Sequence, residues 1–538
     1  MLEIGNLCFI DSLAFLNASL ETIVQNLHSK KTEHFCCLRQ SFPEHVDLLA
    51  HKEVFCYDFI TGFESYEGQS LPPRQSFFNK LAGIRVCEED YEHAQVVFGT
   101  FGLKNLGKYS DLYLKTDCLL LADVFQNFRR WTLETYDIEA LHFVSLPSLS
   151  LSCALKQSKV RLQLIDDPDT YLMIEQGIRG GVTQCTTRHA VGNVPETDMF
   201  NPQHEPSQIS DLDVNGLYAA TMREALPVSD FECLTKDEIS CLNIGDVPDD
   251  APTGYILEVD LRYPHDLHEI HSDFPLAPVK QSVPYDWFSG YQKSLIGKFE
   301  MPKEESTTKL LLTLHDKTKY VLHYRIWKLY TQLGLEVTEI HRVLNFSQRA
   351  FLKEFIDFNH QLRQQATNSF QKNLSKLFTN IMYGKTIENA RKHGHIKLCV
   401  KEDDVLKMLK KPTLTQFRAL SSQVVILQFA PRVIKLKQTL YAGFSNLEIS
   451  QIVLYDFFYN QLRRAIPSTG SLYCDTHSFF LHLQRSDVDD KLLQRRDACL
   501  DTSGYPESHK LFSTENKMRL GVLKNEYPTT HLMAFFFA

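Results

Sequence analysis

Two hydrophobic periods are interleaved along this chain, and their order restricts the fold more than any other feature. Apolar residues recur at helical spacing over 111–130, at Leu112, Leu119, Leu120, Val124 and Phe125, and again over 351–383, predicting two long amphipathic helices. Strand-like patterns mark 208–214, running into a turn at Asn215-Gly216, and 254–261; residues 470–483 read as a strand, a tight turn and a second strand. Pro and Gly cluster over 248–254 and 274–284, as expected of loops or the edges of an inserted subdomain. Helices and strands are mixed without a strict β-α-β rhythm, so the expected class is α+β. A chain of 538 residues, 43% of them hydrophobic, is too long for one core, and about three or four domains are expected.

Several classes are set aside at once. No window approaches the roughly 20 uninterrupted apolar residues of a membrane span. The first residues carry Glu3 and Asp11 without a basic leader, so the chain is expected to be soluble and intracellular, with no membrane partner. The 13 cysteines are scattered without a C-x-x-C pair, the pattern of free thiols rather than of a disulfide scaffold or zinc ribbon. His393, His395 and Cys399 could start a metal cluster but lack a fourth ligand, and a solvated loop is the expectation there.

The formal net charge is -9, yet residues 301–440 hold 24 Lys and Arg against 11 Asp and Glu. One basic segment in an acidic chain suits a groove for a polyanion, since phosphate contacts carry most non-specific affinity. Solvated lysine faces on ordinary helices are the competing explanation.

Three constellations carry candidate chemistry. Asp211-Leu-Asp213-Val-Asn-Gly-Leu-Tyr218 closes a predicted strand, where Asp213 could hold a divalent cation while the following amides face a triphosphate; a turn-forming Asp is the plainer alternative. On the second long helix, Lys376, Asn380 and Tyr383 fall at i, i+4 and i+7 and share a face, with Gly384 next and Leu374, Leu377, Phe378 and Ile381 on the buried side. Lys376 can neutralise phosphate, and Tyr383-Gly384 lets a base pair approach the backbone; a capped amphipathic helix explains the same residues. The third, Tyr473-Cys-Asp475-Thr-His477-Ser478, sits at the predicted hairpin turn and can present a carboxylate toward Asp213, or be a polar turn with no ligand role.

In this order the three resemble motifs A, B and C of family B DNA polymerases. Ile178-Arg179-Gly180-Gly181 resembles the family's Tyr-x-Gly-Gly motif, which contacts the template strand. Longer strings beginning at Lys104, Gly254, Phe274 and Asp501 resemble the protein-primed branch, in particular the polymerases of Polinton (Maverick) elements and related viruses. The resemblance implies a palm with an antiparallel sheet and helical fingers, preceded by the remnant of an RNase H-like exonuclease domain. The implied boundaries are 1–150 for a truncated exonuclease-like domain, 151–230 for the first part of the palm with motif A, 231–320 for an insertion of protein-primed type, 321–420 for fingers with motif B, and 421–538 for the second part of the palm with motif C, the thumb missing.

The implied reaction is two-metal addition of dNTPs to a 3'-hydroxyl, with DNA template and primer as partners and a terminal priming protein as a further one. Asp213 and Asp475 would bind Mg2+, Tyr218 would stack under the incoming sugar, Lys376 would hold the triphosphate, and Asn380, Tyr383 and Gly384 would line the base-pair pocket. Arg179, Gly180 and Gly181 would contact DNA.

Departures from the pattern bear on activity. His477 stands where the family has the metal-binding Asp of motif C, and a neutral imidazole suits Mg2+ poorly, so impaired catalysis and a preference for Mn2+ are expected. Gly216, Ala219 and Ile178 replace the usual Ser, Pro and Tyr. Tyr113 and Asp117 resemble the third exonuclease motif, but the first two motifs should have lain upstream of Met1, so no proofreading is expected. The terminal Phe triplet reads as an abrupt end, before the family's Lys-x-Tyr motif. A catalytically silent nucleic-acid-binding remnant is the alternative, and a metal-dependent nuclease the rival enzyme class. The polymerase reading requires Asp213 and Asp475 to meet across adjoining strands beneath the arm bearing Lys376.

Overall fold

The computed structural model describes residues 2–4, 7–28, 32–303, 307–392 and 394–537. They form helices and mostly antiparallel sheets, an α+β architecture. Two compact units emerge, one of Met1–Gln157 with Asp357–Met382 and one of Ser158–Ile356 with Tyr383–Ala538.

The first unit is built around the helix Leu106–Tyr136. Asn105 starts it by accepting from the Lys108 amide, and Asp137 ends it in the left-handed region at φ 54°. Its buried stripe runs through Tyr109, Leu112, Thr116, Leu120, Val124 and Phe128, so the helix is longer than the 111–130 pattern but has the expected period. Asp123 on this stripe accepts from the amides of Cys37 and Leu38 at 2.7 and 2.9 Å and so caps a neighbouring short helix. Among the described residues the strands of this unit are confined to the pair Leu2–Ile4 and Leu7–Phe9.

The single helix expected over 351–383 is two, Lys353–Gln365 and Ser369–Thr386. Asn368 explains the break: its side-chain oxygen accepts from the Gln371 amide at 2.8 Å and restarts the chain as a new helix.

The second unit holds a six-stranded sheet in the order Leu500–Asp501, Leu523–Asn525, Gln208–Val214, Ser478–Leu483, Thr469–Asp475, Thr183–Cys185. Gln208–Val214 is central and buried on both faces apart from its half-buried Gln208 and Asp213, and it ends where the sequence predicts. A second sheet, all antiparallel, runs Lys317–His323, Thr253–Arg262, Glu336–Arg349, Leu226–Cys233. A third, His395–Cys399, Val425–Phe429, Leu414–Ala419, takes up His395 and Cys399 as strand residues rather than loop; His393 lies outside the described residues. The helix Leu440–Tyr455, not anticipated from the sequence, is buried almost all round and carries Asn446 and Glu448 into the core.

The terminal Phe run is also structured: Ala534–Phe536 pairs with His189–Val191, and Phe535 lies 5.4 Å from Phe480, while Phe536 stays 75% exposed. Among the described residues no helix is long and apolar enough to cross a membrane.

Candidate active site

Strand register builds the site. Lys524, Asp213, Ser478, Asp475 and Thr183 are successive partners across five strands, and directly opposed residues point to the same face. Asp213 and Asp475 thus share one face with Ser478 between them, separated by two strand spacings, roughly 10 Å at the backbone. The hairpin residue that reaches Asp213 is His477, its Nε2 3.6 Å from Oδ1, while its carbonyl accepts from the Val214 amide at 3.0 Å. Asp475 is turned to its other neighbour: its Oδ1 accepts from the Thr183 hydroxyl at 2.8 Å and lies 3.2 Å from that of Thr476.

The hairpin turn is held against the Gly180-Gly181 segment. Thr476 has φ 56° and donates its amide to the Val182 carbonyl at 2.7 Å. A Cβ on Gly181 would come within 2.5 Å of the Thr476 side chain, and Gly180 turns the chain at φ 101°. These two positions demand glycine for closeness and for backbone sign. Arg179, the residue expected to contact DNA, is 7% exposed. Its guanidinium stacks 3.6 Å over the Tyr320 ring, donates to the carbonyls of Gly177 and Val321, and pairs with the buried Glu448. A guanidinium so engaged is a core tether, because withdrawing it would leave a buried carboxylate alone.

Beyond Asp213 the chain turns through Asn215 and Gly216, the latter at φ 55°, into the short helix Leu217–Thr221. Asp501 supports this turn, accepting from Asn215 Nδ2 and the Met518 amide on one oxygen and from Ser503 on the other. Tyr218 projects onto Tyr383: the rings are parallel within 8° at a centroid distance of 4.4 Å. Gly384 is exposed. Within the first unit, Lys376 and Asn380 are exposed on their helix beside a cavity of about 330 Å³ floored by Leu16, Phe370 and Leu374. Buried apolar positions on that helix are Phe370, Leu374, Phe378 and Met382, with Leu377 and Ile381 only half covered.

Electrostatics single out residues that the motifs did not. Asp211, on the same face as Asp213, is pushed up to about 6 by burial first, then by Glu526 and Asp213. Asp213 is also raised by burial, opposed by His477 and reinforced by Glu526. Glu526 lies beside Asp211, donating its amide to the Asp211 carbonyl at 3.0 Å, and its carboxylate binds Lys524 at 2.9 Å. Only the alternation of the strand could have flagged Asp211, and nothing local marked Lys524 or Glu526.

Near Tyr113 and Asp117, Lys52 Nζ lies 2.5 Å from each side-chain oxygen, and Tyr57 meets the Tyr113 hydroxyl. An ammonium therefore occupies the side of Asp117 where a cation would bind. Among the described residues, donor atoms of Asp260, Glu339 and His341 lie within 4.8 Å of one another, but each imidazole nitrogen faces a different carboxylate, at 2.8 and 3.6 Å, as in an ion-pair clasp.

None of the curated proteins matches this sequence significantly. Solved structures of phi29 DNA polymerase align over 97% of the chain: an orthorhombic crystal form at 15% identity and TM-score 0.47, and a ternary complex with primer-template DNA and incoming nucleotide at 15% and 0.48. A complex with single-stranded DNA gives 14% and 0.46. The chain spans about 65% of the length of the first of these, and at such values the likeness carries no weight for the chemistry. The family described as DNA polymerase type B, organellar and viral, matches residues 6–453. That match takes in most of the sequence, and the chain belongs to the organellar and viral type B DNA polymerases.

Proposed function

We propose that this chain is a DNA-directed DNA polymerase of the protein-primed kind, of Polinton type, whose nucleotidyl-transfer site centres on Asp213 and is weakened by His477. The observation that carries the reading is the meeting of the Asp213 strand and the Asp475–His477 hairpin on one sheet face, with His477 3.6 Å from Asp213. Family membership supplies the reaction class, in-line attack of a 3'-hydroxyl on the α-phosphate of a dNTP. The palm reading covers 151–230 and 421–538, with the insertion at 231–320, the fingers at 321–420 and the exonuclease remnant at 1–150.

The donor set on the Asp213 side suits a hard divalent cation, since carboxylates and not thiols surround it, whereas the hairpin offers an imidazole. Asp213 would hold the ion, with Asp475 available only after leaving Thr183. Bound Mg2+ or Mn2+ would supply charge neutralisation at the phosphoryl oxygens. In the second unit Tyr218 would offer a ring face to a sugar and Tyr383 would line the base pair once the two rings part, and in the first unit Lys376 would offer a cation to phosphate and Asn380 an amide to a base. DNA template, primer, dNTPs and a priming protein are the partners this reading requires. The Lys52–Asp117 contact favours a silent exonuclease half.

A second reading, a silent nucleic-acid-binding remnant, is favoured by His477 itself. Primer extension with Mg2+ and Mn2+ on the native protein and on His477→Asp separates the two. The polymerase reading expects at least a tenfold gain for His477→Asp with Mg2+, because several kcal/mol of transition-state stabilisation depend on the ions. No extension by either protein, with DNA affinity intact, leaves the silent remnant.

A further inference from the structure

The second sheet gathers cations of its own, apart from the sheet that carries Asp213. The strand Glu336–Arg349 ends between two others, Arg349 pairing with Leu226 on one side and Ser347 with Thr253 on the other. That register brings Arg223, Glu224, Asp250, Gln348, Arg349 and Lys353 around one cavity of about 590 Å³. Small-molecule sites are of this size, roughly 300–1,000 Å³. Arg349 and Lys353 are exposed, and among the described residues no ion pair or hydrogen bond engages either side chain. Arg223 is a third, half-buried cation. Of the two carboxylates at the cavity, Glu224 faces Arg325 at 3.5 Å, and Asp250 is exposed. Cations collected at one concave place repel one another and draw in an anion.

The wall adds a polar group of the opposite kind. Gln348 is 8% exposed, and its Nε2 donates to the Ala251 carbonyl at 2.7 Å and to the Tyr324 hydroxyl at 2.9 Å, which fixes the orientation of the amide. Its Oε1 is buried and accepts no hydrogen bond among the described residues. A buried acceptor of this kind calls for a donor. We propose that the cavity is a nucleotide site, in which Arg223, Arg349 and Lys353 take the phosphates and Gln348 accepts from an N–H or O–H of the base or sugar. Guanidinium and ammonium groups together suit phosphate oxygens, the first through paired N–H donors and the second as a point charge. A free nucleotide and a nucleotide within a strand present the same groups. The cavity shares no residue with the site centred on Asp213, so it stands whether or not the chain extends a primer.

The competing account is that these cations are solvated and hold nothing. Acetylation of Lys353 in the full chain, followed by mass spectrometry of the digest, decides between them. The probes are dATP and a deoxythymidylate oligomer of about 20 residues, both in EDTA so that no metal-dependent binding at Asp213 contributes. Exposed Lys298, on the helix Gly290–Lys298, is the internal control. At least one probe should slow acetylation of Lys353 by about fivefold or more and leave Lys298 unchanged. Protection by dATP identifies free nucleotide as a ligand, and protection by the oligomer alone identifies a strand. Arg349→Ala should melt as native protein does and lose the protection, whereas Arg349→Lys, which keeps the charge, should retain it. Asp250→Asn, which removes a carboxylate from an exposed loop, should give half-protection at a lower probe concentration. No protection by either probe, equal protection of Lys298, or full protection in Arg349→Ala each overturns the proposal.

Discussion

The phenol rings of Tyr218 and Tyr383 lie parallel at 4.4 Å, so the short helix following Asp213 is clasped by the last turn of the helix Ser369–Thr386. A stacked pair of this kind is worth about 1 kcal/mol beyond its buried area. Under the proposed role of Tyr218 as the platform for a sugar, the rings would have to part for a nucleotide to enter. Tyr383→Phe should preserve stability and the stack, whereas Tyr218→Ala should lose about 1–2 kcal/mol in chemical denaturation and raise the apparent KM for dNTPs in extension assays.

The fit of Gly181 against Thr476 predicts a coupled pair. Gly181→Ala places a methyl within 2.5 Å of the Thr476 side chain and should destabilise the protein by about 1–3 kcal/mol. Thr476→Gly removes both the obstructing side chain and a β-branched residue held at φ 56°. The double variant should therefore recover most of the loss, a non-additivity that a double-mutant cycle of denaturation free energies measures directly.

Arg179 should behave as a core residue. Arg179→Met leaves Glu448, itself pushed up to about 7 by burial, without its counter-charge, and should cost about 3–5 kcal/mol. Arg179→Lys should not rescue it, because an ammonium cannot both stack on Tyr320 and reach the Gly177 and Val321 carbonyls. DNA affinity measured well below the melting temperature should stay within twofold of native; a tenfold loss with full stability would restore Arg179 as a DNA contact.

Acid should weaken the second unit through two buried imidazoles. His271, against the Tyr263 hydroxyl and near Arg463 and His268, is held down to about 4 by burial first and then by those charges; His323 lies well below the usual range for the same first reason. Both are neutral in the folded chain where the unfolded chain would bind a proton. Stability therefore falls as pH drops from about 6.5 toward 4, by at most about 3 kcal/mol from His271. His271→Gln should flatten that part of the curve in urea titrations at successive pH values.

Periodicity alone located the 208–214 strand, the 470–483 hairpin and the helical faces bearing Lys376 and Tyr383, because those patterns answer to local geometry and to one buried side. The break at Ala366–Asn368 escaped it, since one Asn competing for a backbone amide outweighs an otherwise continuous apolar stripe. Leu440–Tyr455 escaped for a different reason: a helix buried on every side has no polar face to reveal its period.

The residue types of the candidate site, and the order of its motifs along the chain, were decided by the sequence. Which of them meet was decided by tertiary structure. Register set His477, and not Asp475, against Asp213, brought Glu526 beside Asp211, and drew Arg179 into the core. Pairing across strands joins residues hundreds of positions apart, and burial is a property of everything packed around a side chain; neither quantity exists in a linear string.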